Sequence, residues 1–296
     1  MSDYLWFGTE EYMGWIPAPL SGAEMSPEGW SAGGTLLSGG GYQSNSWGSH
    51  KVYTFEWPSA SSLEMAQLMK SYSDGTYGRG LLYMVDPLIY DRNILPARIA
   101  DPSMAIGDES ASLIYGIEPV AVPTSGWQAN KLPVNAAQYS MVGIVSGFRG
   151  TDEAVFIPIP EGYTLHLGAF YSYTGSGGVF VSPQTGKGNI GTLTRVAPLA
   201  TASATVAGNT YSDIDGVWLW VGRSTAVTST VTIQGIIGRL AKTGAPAPSA
   251  GPWIGGMGHS GMRFATRPSW KANNGVNGGQ VGFAASFREV GSWSYA

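Results

Sequence analysis

The residues of this 296-residue chain that could do chemistry do not fall into working arrangements. Its acids occur as neighbours, Glu10/Glu11 and Asp152/Glu153. Glycoside hydrolysis needs two carboxyl groups about 5–10 Å apart across the scissile bond. Adjacent residues point to opposite sides of a strand, and both pairs sit in turn-like sequence. The histidines, His50, His166 and His259, lack HxxxH or HxH spacing. Each therefore reads as a structural hydrogen-bonding residue rather than a metal ligand. Asp213-x-Asp215-Gly216 opens like a calcium loop, but the following VWLWVGRS supplies neither the further oxygen ligands nor the distal Glu. A turn before a buried strand is the better reading.

Two glycine motifs fail for a similar reason. Gly186-Lys187-Gly188-Asn189-Ile190-Gly191 matches GxGxxG, yet a dinucleotide site needs a helix to follow, and the next run, TLTRV, favours β structure. Gly258-His259-Ser260-Gly261 lies in a glycine-rich loop, whereas a nucleophile elbow requires a strand–Ser–helix turn. Trp218 and Trp220 alternate with Val217, Leu219 and Val221, so they share one face. Exposed, that pair would stack on a sugar ring; covered, it is core, and the apolar opposite face favours core. The chain contains no cysteine, which excludes disulfides, thiolate catalysis and Cys-based zinc sites. The expectation is a protein that is not an enzyme, with no catalytic residue, no metal and no cofactor.

Composition points elsewhere. Hydrophobic residues make up 43% and charged residues only 12%, about half of the usual quarter. A monomer so poor in charge struggles to keep a patch-free soluble surface, so burial of its exterior in assembly is the favoured reading. The net charge of −4, with no basic run, argues against electrostatic nucleic-acid binding but suits a wall that DNA slides past. No N-terminal signal pattern and no apolar run near the ~18 residues of a membrane span are present, so synthesis in the cytoplasm without secretion is expected.

The elements follow from pattern. Val52–Trp57 alternates, with Tyr53, Phe55 and Trp57 on one face. Pro58 ends it, and Ser61-Ser62-Leu63-Glu64 reads as a capping box for a helix over 61–73 with Leu63, Ala66, Met69 and Tyr72 on its apolar face. From about 110 to 240 the texture turns to Thr, Val, Ser and Gly, with strands expected at 139–148, 154–159, 164–171, 179–182, 217–222 and 227–237. That spacing, with almost no helical period, predicts a β-sandwich of jelly-roll type. Residues 244–252 (GAPAPSAGP) form a stiff linker, and 279–289 a last strand. Forty-odd residues rarely bury a core alone, so the tail is expected to return to the first domain. The resulting organisation is a mainly β chain with one helix in its first domain: a ring-forming domain over 1–107 completed by 250–296, with 108–245 inserted as the sandwich.

The tail, with Gly258-His259-Ser260-Gly261-Met262-Arg263-Phe264, Asn277-Gly278-Gly279-Gln280-Val281-Gly282-Phe283 and Phe287-Arg288-Glu289-Val290-Gly291-Ser292-Trp293, resembles the C-terminus of minor tail proteins of long-tailed phages of actinobacteria. Trp6-Phe7-Gly8 and the helix after Phe55-Glu56-Trp57-Pro58 are similar to the same group. Its two-part layout resembles the distal tail proteins, which pair a ring-forming domain with a galectin-like or carbohydrate-binding-like β-sandwich. That resemblance implies a virion structural protein of the tail tip, usually a hexameric ring, with the tail tube protein, tail hub and tip proteins and the tape measure as partners. DNA would pass through the lumen without sequence-specific binding. The alternative it implies is receptor or host cell-wall glycan binding by the middle sandwich, for which Trp218 and Trp220 are the candidate stacking residues. No catalytic residue comes with the resemblance.

Overall fold

The computed structural model describes residues 4–19, 24–35, 41–57, 59–107, 113, 117–123, 132–141, 154–185, 189–199, 209–248, 253–266, 268–272 and 281–290. Along the chain, β1 (Tyr4–Thr9), β2 (Tyr12–Pro17), β3 (Glu24–Thr35) and β4 (Gly41–Trp57) lead into α1 (Ser59–Ser73). Strand β5 (Leu82–Val85) and the short helix α2 (Ala97–Ala100) follow, then β6 (Val120–Pro123), β7 (Asn135–Met141), β8 (Val155–Pro158), β9 (Tyr163–Tyr173) and β10 (Gly177–Thr185). Next come β11 (Asn189–Ile190), β12 (Thr194–Arg195), β13 (Asn209–Ser212), β14 (Gly216–Arg223) and β15 (Ser229–Lys242), and finally β16 (Met262–Phe264), β17 (Ser269–Ala272) and β18 (Val281–Glu289). The fold is mainly β, and its sheets are antiparallel.

The chain forms two compact units. The first comprises Met1–Tyr4, Ile16–Arg79 and Met262–Val290. Here β4 pairs with β3 on one side and with β18 on the other, and β18 carries β16 and β17 along its far side. Alternation places Tyr53, Phe55 and Trp57 on one buried face, as the sequence predicts, and β18 answers with Phe283, Ala285 and Phe287. Trp57 stacks on Phe283 at 5.6 Å, and Phe55 lies 5.6 Å from Phe287. Helix α1 packs on β18 and β4 through Met65, Ala66, Met69 and Tyr72.

Two features of that helix differ from expectation. It starts at Ser59, so Ser61 is already inside it and is not its N-cap. Leu63 lies 60% exposed. The buried set steps 65, 66, 69, 72, a stripe rotated away from Leu63.

The second unit comprises Leu5–Trp15, Gly80–Gly261 and Gly291–Ala296. Its boundary lies at Arg79/Gly80 rather than near residue 107, and it includes residues beyond 245. The reason is burial: Ile94, Leu95, Ile99 and Ala100 sit in the same core as the sandwich strands. The prolines at 96 and 102 begin short helical turns there instead of marking a linker. Residues 253–261 stay with this unit because Asn93 and Leu95 bind their backbone. Residues 249–252 of the expected linker lie outside the described residues.

Two five-stranded sheets make up most of this unit. One runs β13-β9-β15-β7-β6, the other β11-β10-β14-β8 with β12 also on β10. Leu165, Leu167, Val231, Ile233 and Ile236 of the first share a core with Val179, Val181, Val217, Leu219 and Val221 of the second. A register shift between Ile233 and Gly235 keeps inward residues inward on both sides of it: Val231 and Ile233 before, Ile236 and Leu240 after.

Candidate functional site

The tryptophan pair is core. Trp218 and Trp220 are each 3% exposed and sit on the face of β14 opposite the shared core, which takes Val217, Leu219 and Val221. That second face is covered as well. Phe156 lies 5.0 Å from Trp218, Tyr83 lies 5.0 Å from Phe156, and Phe180 lies 5.7 Å from Trp220. The indole N–H of Trp218 donates to Gln184 Oε1 at 2.5 Å. Gln184 in turn donates through Nε2 to the Glu10 carbonyl, so β10, β14 and the turn between β1 and β2 share one hydrogen-bonded relay. Neither ring offers a face to a sugar, and the stacking role read for this pair does not hold.

The acids do not converge. Glu10 lies over Gly80, where a Cβ would run into its carboxylate oxygens. Its Oε2 is closed off from solvent with no hydrogen-bond partner. Burial, and secondarily Glu11, push its carboxyl above the usual range, against the pull of its own backbone N–H. Asp152 and Glu153 lie outside the described residues. Among the described residues, no three His, Asp or Glu side chains gather to hold a metal. Asp213 adopts a left-handed φ of 58° in the turn between β13 and β14, and Asp215 N–H donates to the Gln184 carbonyl. That is turn geometry.

In the GxGxxG segment, Asn189 and Ile190 pair with Thr185 and Gln184 as a hairpin, so a strand stands where a dinucleotide site needs a helix. Gly258 makes a parallel bridge with Pro96, and β16 follows the GHSG tetrapeptide, so no elbow forms. His50 lies on β4, paired with Glu28 in register. His166 is 5% exposed on β9, with both ring nitrogens closed from solvent and unbonded, and burial holds its pKa below the usual value. The three histidines lie apart in the chain, His50 on β4, His166 on β9 and His259 in the segment before β16.

Two features lie outside the motifs weighed in the sequence. The first is an open strand edge. Strand β3 ends the path of the first unit's sheet as one arm of a long hairpin, with pairing that runs from Glu24↔Thr54 to Thr35↔Gly41. Its other edge has no strand partner among the described residues. The second is a row of rings from four separate places in the chain: Trp6, Trp15, Tyr163 and Tyr90. Nothing in the spacing of these residues signals that they meet.

No protein-family model matches the chain, and neither a curated protein nor a solved structure matches it.

Proposed function

We propose that this protein is a structural component of a phage tail tip, a distal tail protein whose first unit forms a closed, hexameric ring. The observation that carries the reading is the open edge of β3 in a chain with only 12% charged residues. An unpaired strand edge is a template for another chain; Glu24, Pro27, Glu28 and the register shift between Gly29 and Ser31 blunt the first half of β3 and leave residues 31–35 as the open stretch. Strand sense supports a head-to-tail contact. Strand β4 is antiparallel to both β3 and β18, and β17 is antiparallel to β18. Hence β3 runs with β18, and β17 runs against them. A neighbour related by rotation with its strand sense kept brings β17 antiparallel to β3. One patch then meets a different patch, which is the heterologous contact that closes a ring.

The sandwich is read as a jelly roll. Consecutive strands β7, β8, β9 and β10 alternate between the two sheets, as do β13, β14 and β15. The spatial orders β7-β15-β9-β13 and β8-β14-β10-β12 support that reading. The net charge of −4 suits a lumen that passes tape measure and DNA without retaining them. Mass measurement of the purified chain, with negative-stain images alone and after mixing with tail tubes, tests the proposal. Six-fold rings, or six-fold caps on tubes, are expected. A monomer in concentrated solution that also leaves tubes bare overturns it.

A further inference from the structure

The β3–β4 hairpin is longer than the sheet that holds it. Strand β18 pairs with β4 only over residues 52–57, whereas β3 stays paired with β4 as far as Thr35↔Gly41. Among the described residues, the stretch made of 27–35 and 41–51 is therefore a two-stranded ribbon. It amounts to roughly 30 Å of strand at about 3.3 Å per residue. Two strands alone are marginal in water.

The sequence of this ribbon leaves it open to a partner. No Asp, Glu, Lys or Arg lies between Glu28 and Lys51, and no proline follows Pro27 in either strand as far as Lys51. Charge and proline are common means of blunting a strand edge. Here both stop at the base of the ribbon. Neither its β3 edge nor its β4 edge has a further strand partner among the described residues.

We infer that this ribbon is an assembly arm whose β3 edge pairs with the β4 edge of the same arm on a neighbouring copy. The inference rests on the ring reading and specifies its contact. In a neighbour related by rotation, two strands run antiparallel to β3: β17 and β4. Position along the strands decides between them. Strand β17 pairs with β18 at residues 281–284, level with Trp57, at the far end of β4. Residues 31–35 are level with 41–45. Rotation about an axis along the strands keeps these levels, so residues 41–45 of the neighbour stand beside 31–35 and its β17 does not. Main-chain bonds suffice for such a contact, which suits a stretch as small as Ser-Ala-Gly-Gly-Thr. Each arm gives one edge and receives the other, so a closed ring leaves no edge open.

The chain has no cysteine, so introduced cysteines report this contact without background. Chains carrying Gly33→Cys are mixed with tagged chains carrying Gly41→Cys, Gln43→Cys or Asn45→Cys, with and without tail tubes, oxidised mildly and resolved on non-reducing gels. Lys271→Cys serves as the β17 alternative. Gly33→Cys with at least one of the three β4 variants should give a mixed covalent dimer about tenfold or more above that from either chain alone. Gly33→Lys, which sets a charge on the open stretch, should weaken assembly about tenfold or more while its thermal melt keeps the parent's midpoint. Oligomers that crosslink Gly33→Cys to Lys271→Cys, to itself or to none of these overturn the arm pairing and leave the ring reading standing, as does a Gly33→Lys chain that assembles like the parent. A parent chain that stays monomeric and leaves tubes bare overturns both.

Discussion

Asn93 should hold the second unit together far out of proportion to its size. It is fully buried, at 0% exposure, and its amide makes four hydrogen bonds to backbone. Nδ2 donates to the carbonyls of Ile236 (3.0 Å) and Ile254 (2.9 Å), while Oδ1 accepts from Gly238 N–H (3.0 Å) and Leu95 N–H (3.3 Å). One side chain thus fastens β15 to the segment after the linker and to its own loop. In Asn93→Ala the Ile236 carbonyl keeps the indole N–H of Trp253 at 3.2 Å, and Ile254 lies at the surface where water can serve its carbonyl. The N–H groups of Gly238 and Leu95 are left stranded. At about 1–3 kcal/mol for a well-made buried bond, and less for the longer contact to Leu95, the loss should come to about 3 kcal/mol.

Asn93→Asp separates this account from mere cavity formation, because shape and acceptors persist while the donor becomes an anion facing two carbonyls. Its folded-state pKa should be raised by burial. Its relative stability is therefore retained below the ordinary carboxyl value and lost as pH rises through the folded value. Urea unfolding followed by tryptophan fluorescence, at acidic and neutral pH, measures both. A loss under about 1 kcal/mol for Asn93→Ala, or an Asn93→Asp variant whose penalty does not grow with pH, refutes the reasoning.

Three further outcomes follow from the geometry. Glu10 carries a carboxyl raised by burial, so its contribution is present below the ordinary value and lost as pH rises through the folded one. Glu10→Gln should match the parent in acid and gain on it toward neutrality; parallel melting curves from about pH 3.5 to about pH 8 would contradict this. His166 is lowered by burial, so its contribution is held above the ordinary histidine value and lost as pH falls below it toward the folded value. His166→Phe should flatten that part of the acid limb, and an unchanged acid profile speaks against the placement. Gly258 packs so closely that a Cβ would run into the Ile94 carbonyl oxygen. Gly258→Ala should therefore cost about 2 kcal/mol or more in urea unfolding, and a neutral result would mean this bridge is misplaced.

What could be read from the sequence was whatever one element decides alone. Tyr53, Phe55 and Trp57 alternate, and Pro58 bounds them, so strand and buried face were both visible before any partner was known. The sandwich strands were visible for the same reason, with ends that shift both ways: β15 runs to Lys242, five residues past the expected stop at Ile237, β8 is shorter than the expected 154–159, and residues 142–148 of the expected 139–148 strand lie outside the described residues. Helix α1 was visible as a helix, but its start and face were not. The Ser61–Glu64 pattern is equally at home inside a helix, and only packing on β18 and β4 decides that Leu63 faces out. Strand β3 has few apolar residues, four of its twelve positions are Gly or Pro, and its pairing with β4 carries the element.

The candidate surfaces were hidden for a related reason. Stacking aromatics were sought where two tryptophans share a strand face, since strand periodicity is the one geometry a sequence displays directly. In β14 that very regularity puts both rings under a second layer, against Phe156 and Phe180. A regular face is readily covered, because a neighbouring element can lie flat along it. Rings left at or near the surface are those supplied by a strand end and a short edge strand, as with Tyr163 and Trp15. Periodicity along one strand therefore marks core in this protein, and which rings reach solvent is decided by how the short elements pack around them.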